Sequence, residues 1–312
     1  MSIRNRFQYT IATGRATFPV AVFISLILWA INLNEWVEGL FIVICAVITY
    51  LLIELNTAFA LIRTRSDFAP AMFLLFAASC PFLAPYTAEA WIPVLYLAAL
   101  FALFRSYESK YASTPVFHTF LCIGIGSLIL PHLLWFIPIL YLQMTALRSF
   151  HARTFFAGLA GLLVPYWISL CYHLYFTHSP EAVYAPLTAA IHFNPIDYTR
   201  LSVSQILSWG VVLLISIVST IQSLAYSFQD KVQTRILLRI LAGTEAAIIL
   251  FTCLQPQHAN TFFPLLLIIG SIMSSHLFAL TFNRFTRIFL PATIGLWLLV
   301  CIFNLWMHLF NS

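Results

Sequence analysis

Long apolar runs separated by short polar breaks fill this chain from end to end. Eleven such runs can be marked, at 18–33, 36–55, 68–85, 91–104, 116–130, 133–147, 155–176, 206–226, 236–254, 262–280 and 288–310. Many approach the roughly 20 residues that carry an α-helix across a bilayer, and the fourth to sixth are shorter. Trp, Tyr and Phe crowd the ends of many runs, as an interfacial aromatic belt does. The pattern predicts an all-α fold, a polytopic transmembrane helical bundle of about eleven spans. It forms a single integral membrane domain over 1–312 with one longer outer loop at about 177–205. Pro131 and His132 mark either a tight turn between two spans or a kink within one.

Composition agrees with the pattern. Of 312 residues, 62% are hydrophobic and 8% charged, where a soluble domain carries roughly a quarter charged. Too few charges are present to cover a water-facing surface. The formal charge of +5 comes without a Lys/Arg run, so nucleic acid is not an expected partner and membrane lipids are. The first apolar run continues into Asn32 without a small-residue cleavage site, which predicts a retained span rather than a removed signal.

The basic residues set an orientation. Arg4, Arg6 and Arg15, then Arg63 and Arg65, Arg105 and Lys110, Arg148 and Arg153, Lys231, Arg235 and Arg239, and finally Arg284 and Arg287 occupy alternate breaks. Fourteen of the fifteen therefore fall on one side, and Arg200 alone falls on the other. The positive-inside rule then predicts a cytoplasmic amino terminus and a carboxyl terminus outside.

Few residues in the apolar runs offer chemistry. Glu245, in LAGTEAAIIL, lies well inside a span. An intramembrane acid there either relays a proton or holds a substrate or ion, or else is a structural acid paired with a neighbouring helix. Glu54 lies near an inner helix end, close to Arg63 and Arg65, and reads as their ion-pair partner. All six cysteines sit inside apolar runs and none forms a CxxC, so they read as small buried hydrophobes. His173 and His178 are five apart, which is not the i, i+4 spacing of a zinc helix, and no metal site is expected. The glycine pairs Gly124/Gly126 and Gly158/Gly161 predict close helix packing.

Three stretches together carry a resemblance. RTRSDFAPAMFLLFAASCPFL closes a span on Ser79-Cys80-Pro81. FHTFLCIGIGSLILPHLLWFIPILYLQMTALRSFHARTFFAGLAGLLVPYWI joins spans through an inner basic loop. QPQHANTFFPLLLIIGSI approaches an apolar span through polar residues. Their order resembles the polyprenyl-phosphate-sugar-dependent membrane glycosyltransferases of the GT-C type. It is also similar to an uncharacterised family of bacterial multi-pass membrane proteins, which implies the bacterial cytoplasmic membrane. The resemblance implies a catalytic acid on the first outer loop, where NLNEWVEGL supplies Glu35 and Glu38. Such a carboxylate acts as general base on an acceptor hydroxyl or as a metal ligand beside the phosphate of a polyprenyl-phosphate-linked sugar. Arg200, His258 and Asp197 are the implied substrate-binding residues, Arg200 meeting the phosphate. The family's first outer loop is long, whereas here a few residues separate the first two spans. The same stretch also suits a plain hairpin turn, with Asn32 and Asn34 satisfying backbone groups.

Three function classes follow: a glycosyltransferase-like enzyme at the outer face, a transporter using Glu245, and a non-catalytic membrane subunit of an envelope assembly. The sequence assigns no cofactor.

Overall fold

A computed structural model describes residues 6–32, 38–64, 66–85, 87–109, 111–176, 187–188, 190, 196–199 and 201–311. Among these, all regular structure is helical and no strand occurs. The α-helices are α1 (Arg6–Thr13), α2 (Thr17–Asn32), α3 (Gly39–Phe59), α4 (Phe68–Ala78), α5 (Ile92–Phe104), α6 (Ser113–Ile129), α7 (Ile137–Ala146), α8 (Ala152–Phe176), α9 (Val203–Tyr226), α10 (Val232–Leu254), α11 (Ala259–Leu280) and α12 (Arg284–Asn311). Six described helical segments are long and apolar enough to cross a membrane: Gly39–Phe59, Ala152–Phe176, Val203–Gln229, Val232–Leu254, Pro256–Leu280 and Arg284–His308. A seventh results if the pair Phe7–Thr13 and Thr17–Ile31, bent by 74°, is one span. The protein is a multi-pass membrane protein whose regular structure is all helical among the described residues. The chain divides into two compact units, Met1–Tyr86 with Asp197–Ser312, and Thr87–Ile196.

The first unit is built around α11, which is buried along nearly its whole length. Phe262, Phe263, Leu266, Met273, Leu277 and Phe278 are fully enclosed by neighbouring helices rather than left for lipid. Its two ends differ in character. At one, α1 docks through Gln8, whose amide donates to Phe278 O at 2.9 Å and Thr281 O at 2.8 Å. Ser66 Oγ donates to Ala12 O at 2.5 Å, and Arg63 meets Asp230 at 2.9 Å. The opposite end gathers other connections. Tyr198 OH donates to Cys253 O at 2.6 Å, Gln205 to Asn260 at 3.0 Å, and Asn304 to Ser79 O at 2.8 Å. The helices α2, α3, α4 and α9 to α12 thus each run from one end of this unit to the other.

Helix α1 was not expected, because its stretch reads as polar. Buried Gln8 and Ala12 explain it: the helix is held by tertiary hydrogen bonds, not by an apolar run. Helix α4 stops at Ala78 because Pro81 disfavours a helical residue before it and cannot donate a backbone hydrogen bond. Its 11 residues reach only about 16 Å. A 3-10 turn, Pro81–Leu83, completes the crossing of the unit. Since α4 is buried on nearly every side, it has no lipid thickness to match.

The second unit comprises α5 to α8. At one end Glu108 N donates to Leu147 O at 3.2 Å, and the exposed Arg148 meets Glu108 at 3.1 Å. The 3-10 segment Pro131–Phe136 turns the chain at the other end, so Pro131-His132 is a turn and not a kink. Helices α6 and α8 approach backbone to backbone, as the glycine pairs predict. A Cβ added at Gly161 would lie 2.3 Å from Phe117 O, and one at Gly124 would lie 2.9 Å from Leu162 O. Backbone oxygens cannot yield as a flexible side chain does. Gly161→Ala is therefore expected to destabilise the unit by about 1–3 kcal/mol. Thermal unfolding of purified protein checks this, and an unchanged midpoint would refute it.

Candidate functional site

Glu38 immediately precedes α3 and is half-buried. It lines a cavity of about 370 Å³ with Phe82, Ser202, Ser204, Asn304 and His308, all within the first unit. That volume lies at the lower end of the roughly 300–1,000 Å³ typical of small-molecule sites. Three local structures hold these groups. The break at Ser79-Cys80-Pro81 turns Phe82 into the wall. Ser202 is the N-cap of α9, in a reciprocal capping box: its hydroxyl accepts from Gln205 N, and Gln205 Oε1 accepts from Ser202 N at 2.8 Å. Asn304 and His308 are four apart on α12 and so share one helix face.

Asn304 is the anchor. Its Nδ2 donates to Ser79 O at 2.8 Å and to Ser208 Oγ at 3.0 Å, tying α12 to the end of α4 and to α9. Asn304 Oδ1 and His308 Nδ1 are buried without a hydrogen-bond partner. Two buried polar atoms left unsatisfied are costly unless something meets them. The wall offers a carboxylate, two hydroxyls, an amide oxygen and an imidazole, facing apolar Phe82 and Met307. This mixture of donors and acceptors beside an apolar face suits a small polyhydroxylated group.

The sequence candidates are only partly brought together. Glu35 and Arg200 lie outside the described residues, as does most of the 177–205 loop. Asp197 does not line this cavity: its Oδ1 accepts from Thr199 N at 3.0 Å and from Thr199 Oγ1 at 2.5 Å, the geometry of an Asx turn. Nor does His258, which sits in the 3-10 turn Pro256–His258 with its ring 6.5 Å from that of Phe251. Asn304 and His308 were missed. Their signal is present in CIFNLWMHLF, a polar pair at i, i+4 inside an apolar run.

Two further polar sites lie in the first unit. Buried Glu245 accepts from Ser216 Oγ at 2.6 Å through one oxygen and from Thr220 Oγ1 through the other. At the α1 end, Asp230 is 2% exposed and bridges Arg63 at 2.9 Å and His276 Nε2 at 3.0 Å. Arg63 thus pairs with Asp230 and not with Glu54, whose side chain is exposed. Burial alone would push the Asp230 carboxyl up. The His276 hydrogen bond and charge, then Arg63, outweigh it and hold the group below its ordinary value.

All six cysteines are free thiols. Among the described residues no three or more His, Cys, Asp or Glu side chains gather as a metal site would require. No family model, no curated protein and no solved structure matches the chain.

Proposed function

We propose that the protein crosses the bacterial cytoplasmic membrane eleven times, amino terminus inside and carboxyl terminus outside, and transfers a sugar from a polyprenyl-phosphate carrier at its outer face. The topology is supported by the way helices run end to end within each unit, seven in the first and four in the second. In the first unit the connections bearing Arg15, Arg63, Lys231 and Arg284 share one end. In the second, those bearing Arg105 and Arg148 do. Segregated basic ends are what the positive-inside rule requires. A reporter active only outside should be active when fused after Glu89 and silent after Glu108. The same activity at both sites would break the alternation.

The reaction rests on one observation: the Glu38 carboxylate lines a small cavity whose polar wall contains two unsatisfied buried atoms. In this reading the acceptor hydroxyl gives its proton to Glu38 as its oxygen bonds the anomeric carbon. The bond from that carbon to the carrier phosphate breaks, and its electron pair leaves with the phosphate. Asn304 and His308 orient the sugar hydroxyls, and Phe82 covers its apolar face. The test is incubation of the purified chain, in lipid nanodiscs, with radiolabelled polyprenyl-phosphate sugars and membrane extract as acceptor. Donor-dependent labelling of a glycan supports the proposal. Absence of labelling, together with a membrane protein co-purifying at fixed stoichiometry, would replace it with the non-catalytic subunit reading.

A further inference from the structure

Glu245 is not used by the outer cavity, and its surroundings are unusual for an acid inside a span. Helix α9 presents only hydroxyls to it, Ser216 and Thr220. Helix α11 brings Gly270 to the same place, where an added Cβ would lie 2.8 Å from Ser216 Oγ. No charged side chain among the described residues pairs with Glu245, and the nearest basic residue of its own helix, Arg239, is exposed six residues away. An ionised carboxylate enclosed among helices, held by two hydroxyls and paired with no charged side chain among the described residues, is costly. The smallest counter-charge that the two hydroxyls leave room for is a proton.

The hydroxyls continue beyond this site. Along α9, Ser216, Ser219, Thr220 and Ser223 recur at i, i+3, i+4 and i+7, all of them buried on one helix face. Ser219 pairs with Ser274 of α11 at 2.8 Å, and Ser223 donates to Met273 O at 3.0 Å. Two residues past Ser274, His276 meets Asp230 at 3.0 Å, and Asp230 reaches the half-exposed Arg63. Facing Asp230 are therefore His276 from α11 and Arg63 from the α3–α4 connection. Arg235, on α10, donates to the Asp230 carbonyl at 3.4 Å. His276 Nδ1 is buried without a hydrogen-bond partner. A polar seam thus leads from the enclosed acid toward the basic end of the first unit, and its hydroxyls, His276 and Asp230 can each accept one proton and release another, while the Met273 carbonyl only fixes Ser223 in place. Where consecutive hydroxyls stand a helical turn apart, a water or a rotamer change completes the step.

We propose that Glu245 is a proton-exchanging site inside the first unit, loaded and unloaded along the buried hydroxyls of α9 and α11 from the end where Asp230 and His276 meet. When the site unloads, the carboxyl proton passes to Thr220 or Ser216 as that hydroxyl hands its own proton on. One proton is released to water beside Arg63, leaving the carboxylate. Loading is the reverse. The proposal is independent of glycosyl transfer and needs no residue of the Glu38 cavity.

Infrared spectroscopy of the full chain in lipid nanodiscs tests it. The wild type should show a carboxylic C=O band that Glu245→Gln removes and that moves to lower frequency after transfer to D2O. Replacing Ser219 and Ser274 together by Ala should slow that deuteration about tenfold, the effect of one lost hydrogen-bonded step on the barrier. Ser223→Ala should slow it as well. Thr252→Val, on the far half of α10, should leave it unchanged. Absence of any band assigned to Glu245, or equal deuteration rates in the wild type and both seam variants, overturns the proposal. Only variants that elute as the wild type does are compared, and the single Ser223→Ala change supplies the test if the double variant fails to fold.

Discussion

Glu38→Gln is expected to lower transfer of the lipid-linked sugar by about 10²–10⁴-fold, the range that a positioned general base supplies. Gln is nearly isosteric with Glu and keeps one carbonyl oxygen, so the cavity retains its shape and its hydrogen bonds to sugar hydroxyls. What it loses is the capacity to take a proton. The variant should therefore bind donor almost as the wild type does while failing in turnover, a loss in kcat with KM little changed. Asn304→Ala should behave differently. It removes the ties to Ser79 and Ser208 as well as the oxygen facing the cavity, so both stability and KM should suffer. Radiolabelled product formation at saturating donor separates the two. Wild-type turnover in a correctly inserted Glu38→Gln protein would remove Glu38 from the chemistry and leave Glu35 as the remaining candidate acid of NLNEWVEGL.

Much of the fold could be read from hydropathy, because in a bilayer the apolar run is itself the physical cause of a helix. Each of the eleven apolar runs overlaps a helix among the described residues, while six helical segments, or seven with the bent pair, are long and apolar enough to cross a membrane. Local chemistry also read well where it acted over one turn: Pro81 ends α4, and the small residues of α6 and α8 permit backbone contact. The failures share a cause, which is packing between distant segments. Helix α1 forms in a polar stretch because Gln8 finds carbonyls about 270 residues away. Glu54 and Arg63 are near in sequence, yet Arg63 turns to Asp230. The cavity around Glu38 needs Ser79, Ser208 and Asn304 to meet, and no local pattern announces that meeting. Asp197, which the resemblance implies as substrate-binding, does not line the Glu38 cavity, and its Oδ1 accepts from Thr199.

Asp230→Asn is the second large expected effect, and it falls on stability. Breaking a buried ion pair by removing one partner typically costs about 3–5 kcal/mol, because the other charge stays buried. Here Arg63 is 44% exposed and regains water easily, so its share is small. His276 is 3% exposed and cannot. Its Nε2 would face an amide and its Nδ1 already has no hydrogen-bond partner. A cost of about 2–4 kcal/mol is the expected balance. The pH dependence has a definite sign. Folding holds the Asp230 carboxyl below its ordinary value of 3.8, so the folded state binds that proton less readily than the unfolded chain. The stabilisation is then fully present above the ordinary carboxylate value and is lost as pH falls through the lowered, folded one. Near neutral pH the gap between wild type and Asp230→Asn should be at its widest. It should close under acid conditions, where the wild type approaches the variant from above. Unfolding of both proteins in mixed detergent micelles at the two pH values measures this, with helix content as the signal. A gap that is absent near neutral pH, or that widens in acid, would mean that the Arg63–Asp230–His276 bridge does not hold the basic end of the first unit together.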